Sequence, residues 1–237
     1  MTRVVAIASA KGGVGKTTIA INLACALTQL GLDTVVVDAD INSPNLALHL
    51  GSTKVNATLH SVLAGRNKPS DALYLHSPSG TRLVPGSMAE AIDSKHLLGL
   101  KRNLNGLAHV ALVDSAAGMD DDALNAVKAA DELIVVTTPD MPSVIGTLRT
   151  VKAARQAGIG VRGAIINRAL SDENELSADN VSALLGVPVM AVVPEDDAVR
   201  ESLRMKHPVV YSHPDSAAST ALRACAAGLV RFTGGQR

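Results

Sequence analysis

Aromatic residues are nearly absent from this sequence of 237 residues. It contains no tryptophan, and its aromatic residues are Tyr74, Tyr211 and Phe232. Proteins that bind single-stranded nucleic acids usually stack the bases on aromatic side chains, so this composition argues against that class. The 22 basic residues are balanced by 22 acidic ones, which leaves no net charge to attract nucleic acid or an anionic membrane. We therefore expect no nucleic acid partner.

Cysteines and long apolar runs are also scarce. Cys25 and Cys225 are far apart and form no C-x-x-C motif, so neither a disulfide framework nor a zinc site is indicated. We expect both to be small buried hydrophobic side chains. No apolar run approaches the ~20 residues of a membrane-spanning helix, and residues 1–3 lead into a strand-like run without a signal peptide. The sequence predicts a cytoplasmic protein.

Runs of β-branched residues alternate with helical patterns along the chain. Strands are predicted over residues 4–9, 34–38, 72–75, 81–84, 110–114, 133–138, 161–167 and 187–193. Helices are predicted over residues 17–30, within 55–65 with Thr58 as the cap, and over 93–105, 142–156, 178–185, 196–203 and 216–230. This alternation is typical of an α/β fold with a doubly wound, mostly parallel sheet flanked by helices. No linker or repeat interrupts it, so residues 1–237 are predicted to form a single domain.

The segment after the first predicted strand carries the most specific signal. Residues 11–18 lie between a strand and a helix, as a phosphate-binding loop (P-loop) requires, and backbone amides there can surround phosphate oxygens. Lys16 is expected to reach the β- and γ-phosphates of a nucleotide, and the Thr17 hydroxyl to ligate Mg²⁺. Ala10 replaces the first glycine of the general pattern, which requires a negative φ at that position. The predicted nucleotide-binding residues of this loop are Lys11, Gly12, Gly13, Val14, Gly15, Lys16, Thr17 and Thr18.

Acidic residues follow two of the predicted strands. Asp38 and Asp40 follow the second strand, and Asp114 ends the strand predicted over 110–114. An open α/β sheet binds its ligand at the carboxyl ends of its strands, where carboxylates can support Mg²⁺ or orient an attacking water. Acids after strands are also common turn formers and helix caps. The neighbouring phosphate loop favours the functional interpretation.

Residues 11–18, Lys-Gly-Gly-Val-Gly-Lys-Thr-Thr, resemble the deviant Walker A motif of the MinD/ParA family of P-loop ATPases. The spacing of the later motifs is most similar to compact archaeal-type MinD proteins. In that family the first lysine of the motif, Lys11 here, crosses the interface of an ATP-bound homodimer and contacts the partner's phosphates. The resemblance implies ATP and Mg²⁺ as ligands, an ATP-dependent homodimer, and Lys11, Lys16 and Asp40 as catalytic residues.

Two further segments are similar to the switch regions of the family. Residues 37–51 resemble switch I, which implies that Asp40 positions the hydrolytic water and that Asp38 supports the metal site. Residues 114–118 resemble switch II, which implies that Asp114 holds Mg²⁺ through water. Ala116 replaces the usual proline of switch II, and this substitution puts the stiffness of that segment in question.

The resemblance also implies an adenine site. Asn167 and Arg168 end a predicted strand, as does the adenine-contacting Asn-Arg segment of the family. Pro194, Glu195 and Asp196 match the segment that borders the adenine pocket. For the two acids, favourable charge at the N-terminus of a helix is an equally good explanation.

The expected function is a Mg-ATP-binding and hydrolysing switch that dimerises with ATP and controls positioning, such as division-site placement, or assembly. Such a switch is expected to have an activating protein partner. One alternative is an ATP-dependent metabolic enzyme or cofactor-maturation ATPase on the same core, with an acceptor pocket within residues 71–109. A binding module that does not hydrolyse ATP is a third, disfavoured by the intact Lys16, Thr17, Asp40 and Asp114.

The last predicted helix bears on membrane binding. Its apolar stripe consists of Leu222, Cys225, Ala226 and Leu229, which is less broad than the apolar face of an interfacial helix. We expect this helix to pack on the core, so that membrane association is weak or absent without a partner. Peripheral association at the membrane remains the open alternative.

Overall fold

A computed structural model describes residues 1–52 and 55–233, with residues 231–233 described by their backbone alone. Within these residues eight strands form one sheet in the order β3-β4-β2-β5-β1-β6-β7-β8. Strand β3 runs antiparallel to β4, and the other neighbouring pairs are parallel. The strands are β1 (Arg3–Ser9), β2 (Thr34–Ala39), β3 (Tyr74–His76), β4 (Thr81–Val84), β5 (Val110–Ala117), β6 (Glu132–Thr137), β7 (Gly160–Ala169) and β8 (Val189–Pro194).

Helices cover both faces of this sheet. They are α1 (Lys16–Gln29), α2 (Leu46–His49), α3 (Leu59–Leu63), α4 (Leu100–Leu104), α5 (Asp121–Lys128), α6 (Met141–Gln156), α7 (Ala178–Leu185), α8 (Asp197–Met205), α9 (Val209–Ser212) and α10 (Ala217–Thr233). Two short 3₁₀ helices, Pro69–Ala72 and Ser94–Gly99, complete the set in the described chain.

Each face of the sheet has its own apolar core. On one face, strand residues such as Ile7 and Ile134 pack against α1, α9 and α10. On the other, Val37 and Val113 pack against α3 to α7. Strands buried on both faces need apolar side chains at successive positions, which explains the nearly continuous valine, isoleucine and alanine runs. The α/β, doubly wound class is confirmed.

All eight strands were predicted from the sequence, but several helical segments were misassigned or missed. The strand predicted over 72–75 begins only at Tyr74, because Pro69–Ala72 is a 3₁₀ helix. The helix predicted over 93–105 is a 3₁₀ segment followed by α4, although Asp93 does cap it by accepting from the Lys95 amide at 2.8 Å. Helices α2, α5 and α9 were not predicted.

The cysteines and the apolar stripe of α10 are buried as expected. Cys25 and Cys225 are free thiols in the interior, and Leu222, Ala226 and Leu229 belong to the core that α10 shares with α1. Burial raises the pKa of Cys225 to about 12. The stripe therefore serves packing. Among the described helices, none is both long enough and apolar enough to cross a membrane.

Candidate functional site

The strand order brings the predicted site residues to one edge of the sheet. β1 lies between β5 and β6, and β2 lies on the other side of β5. Because these strands are parallel, their carboxyl ends meet at the same edge. Asp38 is directly opposite Asp114 in the β2–β5 pairing, and Ser9 is opposite Ala117 in the β1–β5 pairing. Asp114 therefore lies between the phosphate loop and Asp38.

The phosphate loop has the backbone that its glycines permit. Gly13 and Gly15 have φ of 80° and 91°, and Gly15 is the N-cap residue of α1. A Cβ atom added to Gly12 or Gly13 would meet no atom within 4 Å, so the loop borders an open cradle. In the described chain, non-glycine residues with positive φ occur at Arg168, Ser171 and Lys206. Ala10 is not among them, so its backbone meets the requirement inferred from the sequence.

Ala10 finds room because a glycine faces it. A Cβ atom added to Gly146 in α6 would lie 2.9 Å from the Ala10 Cβ, well inside normal contact distance. Alanine can therefore replace the first glycine of the general motif because Gly146, in the neighbouring helix, has no side chain.

Lys16, Thr17 and Asp114 form a buried cluster at the base of the cradle. The Lys16 Nζ lies 3.0 Å from Asp114 Oδ1, and the Thr17 hydroxyl donates to Asp114 Oδ2 at 2.6 Å. The side chains of Lys16 and Asp114 are only 9% and 1% exposed. A cation and a hydroxyl here share one carboxylate, which is the combination expected where a phosphate and a hard cation bind.

Asp38 lies beside this cluster with one oxygen unused. Its Oδ2 accepts a hydrogen bond from the Leu46 amide at 2.9 Å, whereas its buried Oδ1 has no partner among the described residues. Burial, reinforced by the charge of Asp114, raises the pKa of Asp38 to about 8. An oxygen that is buried and unsatisfied is costly unless a ligand meets it.

These residues fit a magnesium ion. The donors are a hydroxyl and two carboxylates, which are the hard oxygen ligands that Mg²⁺ prefers. Among the described residues no group of three or more histidine, cysteine or acidic side chains is arranged to hold a metal. Mg²⁺ usually binds through one or two carboxylates, its own waters and substrate phosphates, so such a group is not needed.

The pKa of Asp38 predicts how stability depends on pH without nucleotide. Between the pKa of an unfolded aspartate, ~4, and the folded value of about 8, the folded chain holds a proton that the unfolded chain has lost. Stability should therefore fall as the pH rises through this window. Asp38→Asn should weaken that slope and raise the melting temperature at pH 8, which thermal unfolding from pH 5 to pH 8.5 measures. Asp33→Asn, at an exposed residue, is the control, and equal slopes for Asp38→Asn and the wild type would contradict the assignment.

Lys11 lies at the exposed rim of the loop. Its Nζ is 3.6 Å from Asp140 Oδ1, and both side chains are about half exposed. Asp140 is also the N-cap of α6, accepting from the Ser143 amide at 2.9 Å. The sequence did not predict this pairing, because it depends on β6 lying next to β1.

The switch I segment is held at several points. Asp40 Oδ1 accepts from the Ser43 amide at 3.0 Å, and the Asn42 amide group hydrogen-bonds Asp122 at the start of α5. Asp40 itself is partly exposed at the edge of the site. The Asp40 carboxylate is thus held in a turn within the segment that follows β2.

Switch II is anchored without its usual proline. The Ser115 hydroxyl donates to the Ile7 carbonyl at 3.0 Å, and the Gly118 amide donates to the Ser9 carbonyl at 2.9 Å. Both bonds tie the segment to β1. These contacts restrain the backbone on either side of Ala116.

The predicted adenine residues have two different environments. Asn167 is buried and donates to the Val14 carbonyl at 2.7 Å, so in this structure it supports the phosphate loop, a role that the sequence did not indicate. Arg168 is the extra residue of a bulge between β7 and β8, with φ of 59°. The bulge turns Arg168 outward, where its Nε lies 3.7 Å from Glu195.

Strand β8 ends at Pro194, and Glu195 and Asp196 follow it. The Glu195 amide donates to the Ala169 carbonyl at 2.9 Å, which holds this segment beside the end of β7. Asp196 accepts from the Ala218 amide at 3.0 Å and from the Ala198 amide at 2.9 Å. Both oxygens of Asp196 are thus used to cap α8 and tie it to α10, which supports the helix-cap explanation for this acid.

Comparison with known proteins identifies relatives over nearly the whole chain. A family model described as "CobQ/CobB/MinD/ParA nucleotide binding domain" matches residues 5–209. An uncharacterised ATP-binding protein of Methanocaldococcus jannaschii is 36% identical over 97% of this chain and 88% of its own. The septum site-determining protein MinD of Pyrococcus horikoshii, solved with Mg-ADP, is 33% identical and superposes with a TM-score of 0.92 over 99% of this chain and 98% of its own.

A MinC:MinD cell division protein complex of Aquifex aeolicus also matches, with 26% identity and a TM-score of 0.87 over 97% of this chain and 96% of that one. The family prediction and the P-loop fold are confirmed by these matches. The Mg-ADP of the Pyrococcus structure agrees with the predicted nucleotide and magnesium.

Proposed function

Because this chain belongs to the CobQ/CobB/MinD/ParA nucleotide-binding family, we propose that it binds and hydrolyses Mg-ATP as a molecular switch. The observation that carries the proposal is the buried cluster of Lys16, Thr17 and Asp114 beneath an open glycine cradle. A fixed cation, a hydroxyl and a carboxylate at the N-terminus of a helix are the parts that phosphoryl transfer from a nucleotide requires.

The residues of the cluster and of the loop around it have separate roles in binding. The amides of Gly12 and Gly13 surround the phosphates, and Lys16 holds the β- and γ-phosphate oxygens. Thr17, Asp38 and Asp114 would hold Mg²⁺, which would supply positive charge to offset that of the phosphates.

Asp40 orients the attacking water. The proposal is supported by the hydrogen bond from the Ser43 amide, which restrains the Asp40 carboxylate, and by the contact of Asn42 with Asp122 of α5, which restrains the same loop. Positioning of this kind is the main contribution that a protein makes to phosphoryl transfer.

Lys11 completes the site of a second subunit. Its exposed position lets it leave Asp140 and reach the nucleotide of a partner, where a cation stabilises the charge of the transition state. Met141 and Ile145, on the first turns of α6 beside Asp140, are 49% and 40% exposed. Apolar side chains beside the cradle are consistent with a second copy of the chain covering this face with ATP bound.

Asn167, Arg168, Pro194, Glu195 and Asp196 are proposed to border the adenine. In the family resemblance these segments form that side of the pocket, and here they meet where β7 and β8 end. The matching MinC:MinD complex favours a protein partner that reads the nucleotide state. The buried stripe of α10 favours weak or absent membrane binding by the chain alone, and we propose a cytoplasmic location.

The metabolic-enzyme alternative has less support. It needs an acceptor pocket within residues 71–109. In that segment Leu97, Leu100 and Leu104 are buried in the core, whereas Leu75, Met88 and Leu98 are exposed. Part of the segment thus serves to cover the core.

The test is the mass of the protein in solution as a function of nucleotide. Asp40→Ala should trap the ATP-bound state, so light scattering should give a dimer with Mg-ATP and a monomer with Mg-ADP or no nucleotide. Adding Lys11→Ala to Asp40→Ala should abolish the dimer while ATP binding persists. Lys152→Ala, at an exposed lysine on α6, serves as the matched control in the same background. A monomer under all conditions would remove the cross-subunit mechanism and favour the metabolic enzyme.

A further inference from the structure

A buried histidine connects switch I to the rest of the fold. His60, on α3, is 1% exposed. Its Nε2 lies 3.0 Å from the carbonyl oxygen of Ile41, the residue after Asp40. Its Nδ1 lies 3.0 Å from the amide nitrogen of Ser87, in the loop after β4. The ring therefore joins two loops that are far apart in the sequence.

These two partners determine where the ring proton lies. The Ser87 amide can only donate, so Nδ1 must accept, and the proton of the neutral ring must be on Nε2, where the Ile41 carbonyl accepts it. The hydrogen-bond partners thus select one tautomer. A side chain at this position must accept a hydrogen bond from the Ser87 amide and donate one to the Ile41 carbonyl.

The loop after β4, whose Ser87 amide contacts His60, also lies directly against switch I. The Leu59 amide, at the start of α3, donates to the Pro85 carbonyl at 2.7 Å. A Cβ atom added to Gly86 would collide with the Pro44 ring and lie 3.5 Å from the Asp38 carboxyl carbon. Glycine at position 86 therefore allows the post-β4 loop to pack against switch I, and His60 is the polar link across this contact.

We propose that His60 is a positioning residue for ATP hydrolysis, which sets the orientation of Asp40 by holding the Ile41 carbonyl. The proposal rests on the proposed function, in which Asp40 orients the attacking water. The ring nitrogens of His60 are hydrogen-bonded to Ile41 and Ser87, so His60 acts through the backbone of switch I. The Ser87 bond fixes the ring, and the Ile41 bond transmits that fixed position to the catalytic loop.

Three substitutions separate the two hydrogen bonds. His60→Gln can place an amide NH₂ where Nε2 lies and so keeps the bond to Ile41. His60→Asn can place an oxygen where Nδ1 lies and keeps only the bond to Ser87. His60→Phe keeps the ring shape and loses both. His76→Phe is the matched control, because His76 is another buried histidine. Its side-chain partners are Ser79 and His207, which belong neither to switch I nor to the loop after β4.

The measurement is steady-state ATP hydrolysis with the melting temperature of each variant. His60→Phe and His60→Asn should lower kcat at least ~10-fold and change the KM for ATP less than ~3-fold, because the phosphate cradle is intact. His60→Gln should keep kcat within ~3-fold of the wild type, and His76→Phe should leave it unchanged. A kcat for His60→Phe within ~3-fold of the wild type would overturn the proposal. A fall in kcat in His60→Gln as large as that in His60→Phe would also overturn it, because His60→Gln keeps the hydrogen bond to Ile41 on which the proposal depends.

A second readout does not depend on hydrolysis. The Ser43 and Leu46 amides are protected by the side chains of Asp40 and Asp38. In the nucleotide-free protein their hydrogen exchange should be at least ~10-fold faster in His60→Phe and His60→Asn than in the wild type and His60→Gln. Unchanged exchange would overturn the role of His60. A different outcome is faster exchange in these His60 variants together with ATP hydrolysis at the wild-type rate by Asp40→Ala. That outcome would refute the proposed function but would still show that His60 restrains switch I.

Discussion

ATP hydrolysis is expected to fall at least ~100-fold when Lys16 is replaced by alanine, and the nucleotide-free protein is expected to lose stability as well. The first effect follows because a fixed cation at a transferring phosphoryl group is worth factors of about 10² to 10³ or more. The second follows because Asp114 is only 1% exposed and Lys16 is its ionic partner at 3.0 Å. Removing one member of a buried pair leaves an uncompensated charge, which typically costs about 3 kcal/mol.

Urea unfolding and ATP turnover measure the two effects separately. Lys101→Ala is the matched control, because Lys101 pairs with Asp131 at the surface with its side chain 56% exposed. Such exposed pairs contribute about 0.5 kcal/mol, and Lys101 is remote from the cradle. If Lys16→Ala were as stable as Lys101→Ala, the buried cluster would not be a stabilising ion pair.

The effect of Gly146→Ala should change sign with the residue at position 10. In the middle of a helix, glycine is less favourable than alanine by about 1 kcal/mol, so the substitution alone would be expected to stabilise α6. The new methyl group, however, would lie 2.9 Å from the Ala10 Cβ, and relieving such overpacking costs roughly 1–3 kcal/mol. We expect Gly146→Ala to destabilise the wild type and to weaken ATP binding by displacing the phosphate loop.

Replacing Ala10 with glycine should remove the collision. In that background Gly146→Ala should become stabilising by up to ~1 kcal/mol, and a double-mutant cycle in urea should give a coupling energy of about 1–3 kcal/mol. Gly228→Ala in α10 is the control, since an added Cβ there meets nothing within 4 Å, and it should behave alike in both backgrounds. Equal effects of Gly146→Ala in both backgrounds would show that the two residues are not coupled.

The strands and the phosphate loop were predictable because their signals are local. Runs such as the valines of β2 must be buried on both faces, and a glycine-rich turn followed by Lys16 and Thr17 carries its own chemistry. Helix α5 also had a local signal that was missed, with acids in its first turn, Lys128 in its last, and buried residues at helical spacing. By contrast, α2 has only four residues, and its first amide is held by Asp38 from β2.

The rest of the site depends on which strands are neighbours. Lys11 meets Asp140 only because β6 lies beside β1, and Asn167 reaches Val14 only because β7 follows β6 in the sheet. The link from His60 to Ile41 requires α3 to pack against the segment that follows β2. These contacts form only after the fold has brought distant segments together, so the spacing of residues in the sequence does not predict them.

The central position of β1 also determines when the site can form during synthesis. Strand β1 is flanked by β5 and β6, which follow it in the chain and pair with it through residues 110–117 and 132–135. A nascent chain that has not reached residue 110 contains the whole phosphate-loop sequence but neither strand that holds β1 in place. Strand β1 must wait for these distant partners, and such long-range pairing is slow and prone to aggregation. Nucleotide can therefore bind once the sheet has formed, but it cannot guide the folding of a chain that has not yet reached residue 110.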